Sequence, residues 1–301
     1  MIRFAQDDEL DKLKPLFFEC FDIKFYSPYG AFYITNIFKN YKTLAYIKDD
    51  KFVSMITLLP VKLLSGDKIF SGLYLFALGT LKDYRNLNIA SEMLEYIYDY
   101  SKKNNIDFNL LIPEGYKEHL FNMYFKRGFK KNIKHKLVLL SKEEMNDFLD
   151  DDTYNLNFLI EDYNKDLKTM RYKNYFFTDF IEWDEKELAV VQKEYSLPGG
   201  NHYFLNFDSG QYAILDLRDE SKLKIREYNI SDDNMKSFIK TLLDKYPSYK
   251  LFEFSLPVNN YYSKFFENKK YEIKNIAMLR PINENFIFDE EKIYFNFGLD
   301  T

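Results

Sequence analysis

GLYLFALGTLKDYRNLNIAS, residues Gly72–Ser91, is the stretch whose reading decides the rest of the chain. An apolar, strand-like run breaks at the basic turn Tyr84-Arg85-Asn86-Leu87-Asn88, which opens straight into a helical segment, Ile89–Lys103. The first-turn amides of a helix have no helical acceptor, and the helix dipole favours negative charge beside them. A strand that delivers such a turn onto a helix start is an anion seat, and Arg85 adds a fixed cation. The pattern suits a pyrophosphate and therefore a phosphate-bearing cofactor.

Upstream of that stretch the sequence reads as strand, Ile2–Phe4, then helix, Asp7–Phe21, with Leu10, Leu13, Phe17 and Phe21 near helical spacing. Asp7 and Asp8 stand where a cap and a dipole-matching acid belong. The loop Ser27-Pro28-Tyr29-Gly30 precedes a second helical stretch, Ala31–Phe38, and three strands follow in meander order, Thr43–Ile47, Phe52–Leu64 and Phe70–Leu81. Downstream come a short buried strand, Phe108–Ile112, a helix over Tyr116–Lys126 and a strand over Asn132–Leu140. Residues 141–153, with Asp150-Asp151-Asp152, read as an acidic surface connector holding at most a helical turn.

The second half repeats this order in weaker form. Phe158–Met170 matches Phe4–Leu16 as strand end, acidic cap and helix. Gln211–Tyr228 reads as a hairpin, Asp232–Asp244 as a helix and Tyr249–Leu256 as a strand, followed by a helix at Tyr261–Asn268 and a strand at Glu272–Leu279. YFKRGFKKNIKHKL (Tyr124–Leu137) and FENKKYEIKNIAML (Phe266–Leu279) share one apolar pattern, which points to two copies of one α/β unit.

Composition narrows the function classes. With 301 residues the chain has room for one or two domains. A net charge of −5 argues against a general nucleic-acid binder, which needs clustered Lys and Arg, and suits a cationic substrate. The 26 Tyr and 30 Phe supply core and interdomain packing. A single cysteine, Cys20, excludes a disulfide framework and reads as a small apolar residue of the first helix. His119, His135 and His202 are dispersed without metal-ligand spacing, so no metal site is expected. Ser196-Leu197-Pro198-Gly199-Gly200 lacks the lysine of a phosphate loop and reads as a turn. The N-terminus is not built as a signal peptide, and no stretch is apolar for the roughly 20 residues a bilayer needs, so the cytoplasm is the expected compartment, without a membrane partner.

The strand and helix order, with the basic turn after the fourth strand, resembles the GNAT superfamily of acyl-CoA-dependent N-acyltransferases. Three pieces carry the resemblance. Arg85-Asn86-Leu87-Asn88-Ile89-Ala90 matches the family's pyrophosphate loop, Arg/Gln-x-x-Gly-x-Gly/Ala. Leu78-Gly79-Thr80 lies where the family pairs with the pantetheine amides, and Tyr124-Phe125-Lys126-Arg127-Gly128-Phe129 looks like its Tyr-x-x-x-Gly-Phe, whose tyrosine protonates the departing thiolate. Gly66–Leu94 looks most like the Eis-type branch, the enhanced intracellular survival acetyltransferases, which carry a GNAT domain, a degenerate GNAT-like domain and a sterol-carrier-like third domain. This chain matches the first two and is too short for a full third. Asn88 stands where glycine is usual in the loop, and asparagine is the other residue that best tolerates left-handed backbone. In the second copy Phe266 and Lys270 stand where Tyr124 and Gly128 stand in the first, and no basic turn precedes the helix at Asp232, so that half is expected to lack a cofactor site.

The resemblance implies an α/β fold of two tandem GNAT-like domains, each a mixed, mostly antiparallel sheet flanked by helices. Residues 1–145 would bind acetyl-CoA and residues 154–301 would form the degenerate unit. The implied reaction is N-acetylation of a small, cationic primary amine by direct attack on the thioester. Leu78, Gly79, Thr80, Arg85, Asn86, Leu87, Asn88, Ile89, Ala90 and Ser91 would hold the cofactor, and Tyr124 would be the general acid. The general base is not visible: Glu114 reads first as a solvated loop carboxylate, and the Eis-type pattern assigns the role to a terminal carboxylate, here that of Thr301. Two other readings remain at this level, a degenerate GNAT-fold CoA sensor or scaffold and a Fem-like aminoacyl transferase. A homo-oligomer is compatible with the aromatic surface, but the sequence locates no interface.

Overall fold

The meander predicted from the sequence is present. In the computed structural model β1 (Ile2–Phe4) pairs antiparallel with β2 (Lys42–Lys48), and β3 (Lys51–Ser65) and β4 (Lys68–Thr80) continue the sheet. The residues described are 1–24, 26–150, 159–161, 167–174, 179–197, 201–206, 210–258, 264–284, 286, 292–295 and 298–299. The turns fall at Asp49-Asp50 and Gly66, all in left-handed backbone, which Asp and Gly accept more readily than branched residues. β3 is buried at nearly every position because it is covered on both faces, and its sequence is accordingly an apolar run rather than an alternation.

α1 (Leu10–Phe21) packs on β3 and β4 through Leu13, Leu16 and Phe17, three and four residues apart. Its entry differs from the expectation. Gln6 and Glu9 form the capping box of a 3-10 turn, Asp7–Glu9, so Asp7 and Asp8 occupy the first turn instead of the cap. The Ser27 hydroxyl accepts from the Gly30 amide at 3.0 Å and starts α2 (Pro28–Phe32), which runs on into a π-helical stretch, Tyr33–Phe38. α3 (Ile89–Lys103), β5 (Phe108–Leu111), α4 (Glu118–Phe125), β6 (Lys131–Ser141) and a short α5 (Lys142–Asn146) complete the first half.

The second half contains β7 (Leu159–Glu161), α6 (Leu167–Asn174), β8 (Asp179–Glu182), α7 (Glu185–Tyr195), β9 (Asn201–Asn206), β10 (Gln211–Asp216), β11 (Leu223–Asn229), α8 (Asp232–Lys245), β12 (Leu251–Pro257), β13 (Glu272–Pro281) and β14 (Ile293–Tyr294). β8, α7, β9 and β14 were not anticipated from the sequence. Of the helix expected over Tyr261–Asn268, the described residues form only the 3-10 turn Lys264–Phe266. Residues 198–200 of the expected Pro-Gly-Gly turn lie outside the described residues.

All strands join one sheet, whose main path is β1-β2-β3-β4-β5-β13-β6-β12-β11-β10-β9-β7. β6 of the first half and β13 of the second have each crossed to the other half. β13 lies antiparallel against β5, with Leu279 opposite Leu110, and β6 lies antiparallel against β12, with Leu140 opposite Phe252. β6 and β13 also pair with each other at the centre, from Glu272 opposite Leu137 to Leu279 opposite Lys131. These are the segments whose apolar patterns match in sequence, and they meet about an approximate two-fold axis. Two parallel pairs, β4–β5 and β11–β12, stand in corresponding places, each spanned by a helix, α3 or α8, and a third joins β14 to β8.

Buried polar groups tie the halves further. Arg171 donates to Glu182 at 2.5 Å and to Glu227 at 2.7 Å, and Tyr212 also donates to Glu227. β8, which carries Glu182, pairs with β3 of the first half. His135 on β6 is fully buried, stacked on Tyr294 at 4.8 Å, with Nδ1 2.9 Å from the Ser255 hydroxyl. Burial pushes its pKa down to about 3.

Two stability predictions follow from these contacts. A Cβ on residue 72 would lie 2.3 Å from the ring of Phe108, which is fully buried and stacked on Phe286. Gly72→Ala is expected to lower the denaturation free energy by about 1–3 kcal/mol, and Phe108→Leu in the same chain to recover part of the loss. His135 accepts its proton only near pH 3 when folded but near 6.5 when unfolded, so unfolding takes up a proton between those values and stability falls as pH drops through that window. His135→Gln should flatten a slope that is at most about 1.4 kcal/mol per pH unit; an unchanged slope in pH-resolved unfolding would contradict this origin.

Candidate active site

β4 and β5 are paired only at Gly72–Phe108, Leu73–Asn109 and Tyr74–Leu110, and then part. Beyond Tyr74 one edge of β4 stays bonded to β3 while the other faces a cleft. Ala77 sits in the left-handed region at φ 55°, and the β3–β4 register shifts beside it, between Met55 and Thr57. This bulge turns the strand at the mouth of the parting. The carbonyls at its end are held, Gly79 by the Ser54 hydroxyl at 2.7 Å and Thr80 by Arg85 Nε at 3.0 Å. A Cβ on Gly79 would lie 2.8 Å from Cys20 Cβ, so glycine lets α1 close over this part of β4.

The cleft is a cavity of about 600 Å³ lined by Leu78, Gly79, Thr80, Arg85, Asn86, Asn88, Ile89 and Ala90, among others. Asn86 and Asn88 are both left-handed, at φ 64° and 62°, so Asn88 adopts the backbone for which glycine is usual. The Asn88 side chain makes no capping bond to α3. Among the described residues, the backbone N–H groups of Asn86 to Ser91 meet no acceptor. The donors, the helix dipole and two nearby arginines fit a pyrophosphate. The corresponding helix α8 differs: Asp232 and Asp233 occupy its first turn, and the Asp232 carboxylate already accepts from the Lys264 amide. Its positive end is neutralised by its own side chains.

Two expected residues stand apart from the lining. Leu87 is 50% exposed, and only its amide takes part in the turn. Ser91 lies outside the cavity wall, and its hydroxyl accepts from Arg127 Nε at 2.7 Å. Arg127, also held by the Met123 carbonyl at 2.6 Å, is the second cation of the cleft, and Lys117 and His119 line it too. Sequence reasoning did not single these out as ligands. The available signal for Arg127 was its place within the Tyr-x-x-x-Gly-Phe segment.

Tyr124 lines the same cavity from α4 and is otherwise buried, with its ring edge-on to Phe129 at 5.7 Å. Burial holds the phenol well above its ordinary pKa, so it keeps its proton throughout the neutral range. The turn after α4 closes at Gly128, at φ 86°, where a Cβ would lie 2.9 Å from Arg280 Nε. Arg280 belongs to β13, pairs with Glu95 at 3.1 Å and lies over the Tyr98 ring at 4.1 Å. The second half therefore braces the helices that carry Tyr124 and the anion seat.

A second cavity, of about 1030 Å³, adjoins the first and shares Leu75, Ala77, Ile112 and Glu114 with it. Among the described residues Glu114 is the only ionisable one of that junction, and it lies 3.3 Å from Lys117. Gly298 and Leu299 are fixed beside this cavity through their carbonyls, by the hydroxyls of Tyr195 at 2.7 Å and Tyr74 at 2.9 Å. Thr301, the expected base by resemblance, lies outside the described residues. Among the described residues no group of His, Cys, Asp and Glu could hold a metal ion, and no helix is long and apolar enough to cross a membrane.

The comparisons agree with this geometry. Residues 1–131 match the family described as acetyltransferase (GNAT) domain. None of the curated proteins matches the sequence. Among solved structures, a conserved Enterococcus faecalis protein described as a probable N-acyltransferase superposes with a TM-score of 0.73 at 11% identity, covering 94% of this chain and 72% of its own. Eis1 from Mycobacterium abscessus gives 0.66 at 11% identity, over 94% and 74%. A tandem GNAT protein from the clavulanic acid biosynthesis pathway gives 0.51 at 7% identity, over 95% and 100%. Residues 1–131 are thus similar to the acetyltransferase (GNAT) domain family, and along nearly its whole length the chain shares its fold with these solved structures.

Proposed function

We propose that the chain transfers the acetyl group of acetyl-CoA directly to a primary amine, with the cofactor in the smaller cavity and the amine in the larger. The observation that carries this reading is the free edge of β4 running onto the unpartnered amides of α3, with Tyr124 on the wall of the same cavity. When bound, acetyl-CoA supplies a thioester carbonyl to the amine. The amides of Asn86 to Ser91, with Arg85 and Arg127, hold the phosphates, and the Leu78–Thr80 edge pairs with the amides of the pantetheine arm. As the N–C bond forms and the C–S bond breaks, the amine loses one proton and the sulfur gains one. Tyr124 gives its phenolic proton to the sulfur, and Glu114, at the junction of the cavities, takes the proton of the amine. Residues 154–301, the degenerate unit, bind no cofactor of their own and complete the amine cavity. A cationic amine agrees with the net charge of −5.

Acetyl-CoA at 100 times its dissociation constant is expected to stabilise the protein by about 2.7 kcal/mol. No thermal shift at millimolar acetyl-CoA would overturn the reading. Asn88→Gly should retain the shift, whereas Asn88→Val, strained at φ 62°, should reduce it. Tyr124→Phe is expected to lower kcat by about 10²–10⁴ while changing the KM for acetyl-CoA little, and an unaltered kcat would remove Tyr124 from the mechanism.

A further inference from the structure

The larger cavity is longer than a small amine requires. Its lining crosses the sheet from Leu75 and Ala77 on β4, past Ile276 on β13 and Leu137 on β6, to Ser255 on β12 and Arg226 on β11. In strand order that is five steps, from β4 through β5, β13, β6 and β12 to β11. At about 4.8 Å per step the cavity extends about 24 Å. An extended peptide advances about 3.3 Å per residue, so such a groove takes a chain of several residues.

The chemistry of the wall changes along that length. Near β4 it is mainly apolar and aromatic, with Leu75, Phe76 and Ile112 around the one carboxylate of the junction, Glu114. At the far end it is ionic, with the Lys222–Glu253 pair and with Lys224 3.5 Å from Asp219. Over the whole lining, carboxylates and cations occur in equal number. A polycation would meet as many repulsive as attractive charges there, whereas a ligand carrying both signs can match them.

We propose that the acceptor is an extended amine of short-peptide size. Its terminal nitrogen lies at the β4 end, and charges of both signs on its distal part meet the Lys222–Glu253 region. The proposal rests on the acetyl-transfer reading and adds the class of acceptor.

The test measures binding separately from turnover. With saturating CoA, the full chain is titrated by calorimetry with glycinamide, with spermidine and with the peptide amide Gly-Ala-Ala-Lys-Glu-NH₂, while thiol release from acetyl-CoA is followed in parallel. The expected result is peptide binding at least tenfold tighter than either small amine, with a peptide-to-glycinamide ratio that falls severalfold in Lys222→Ala. A retained acetyl-CoA melting shift shows that the variant is folded. Peptide binding no tighter than that of glycinamide, equal or tighter binding of spermidine, or a ratio unmoved by Lys222→Ala would each overturn the extended acceptor. Tight peptide binding without thiol release from any amine would count against acetyl transfer, so the two failures are distinguishable.

Discussion

Both cavities depend on the parting of β4 and β5 after three shared residue pairs. A strand edge inside a protein needs partners for its N–H and C=O groups. Here β3 satisfies one side of β4, and β13 satisfies β5, so the two strands can separate without either losing its place in the sheet. What remains is a short open edge from Leu75 to Thr80, turned by the bulge at Ala77 and aimed at the start of α3. The same parting makes the junction of Leu75, Ala77, Ile112 and Glu114, where the two cavities meet.

The strand that props β5 in position comes from the far end of the chain. Exchange of β6 and β13 makes each half incomplete alone: the first half receives β13 and, with it, Arg280 against Gly128, Glu95 and Tyr98. The second half receives β6, whose Val138 and Leu140 join the core formed with α8 and β12. The helices α3 and α8, which span corresponding parallel pairs, differ at the end where an anion would sit. α3 starts with uncommitted amides, and α8 starts with two aspartates that use its positive end.

Much of the first half was legible because its signals are local. The helix over Ile89–Lys103 has the bounds its sequence suggests, and the meander strands agree within a few residues, since both follow from short-range apolar periodicity and turn chemistry. The left-handed backbone of Asn88 is one that its residue type tolerates, at the position where the resembled loop has glycine. Legibility failed where the signal was short or non-local. β8 and β14 have four and two residues and carry no periodicity to detect. Arg127 became a cleft residue only through the packing of α4 against α3, and Leu87 left the cleft because its side chain faces solvent.

The sequence by itself determined the basic turn that opens into the helix Ile89–Lys103 and the absence of such a turn before α8, both set by residue types within a few positions of one another. Only the tertiary structure decided which strand lies beside which, because a hydrophobic strand matches any edge of suitable pattern and the chain records no preference between the partners of β6 and β13. That choice buried His135 beside Ser255 and stretched the larger cavity across six strands. The reach of that cavity is a property of sheet order, which no local stretch of residues encodes.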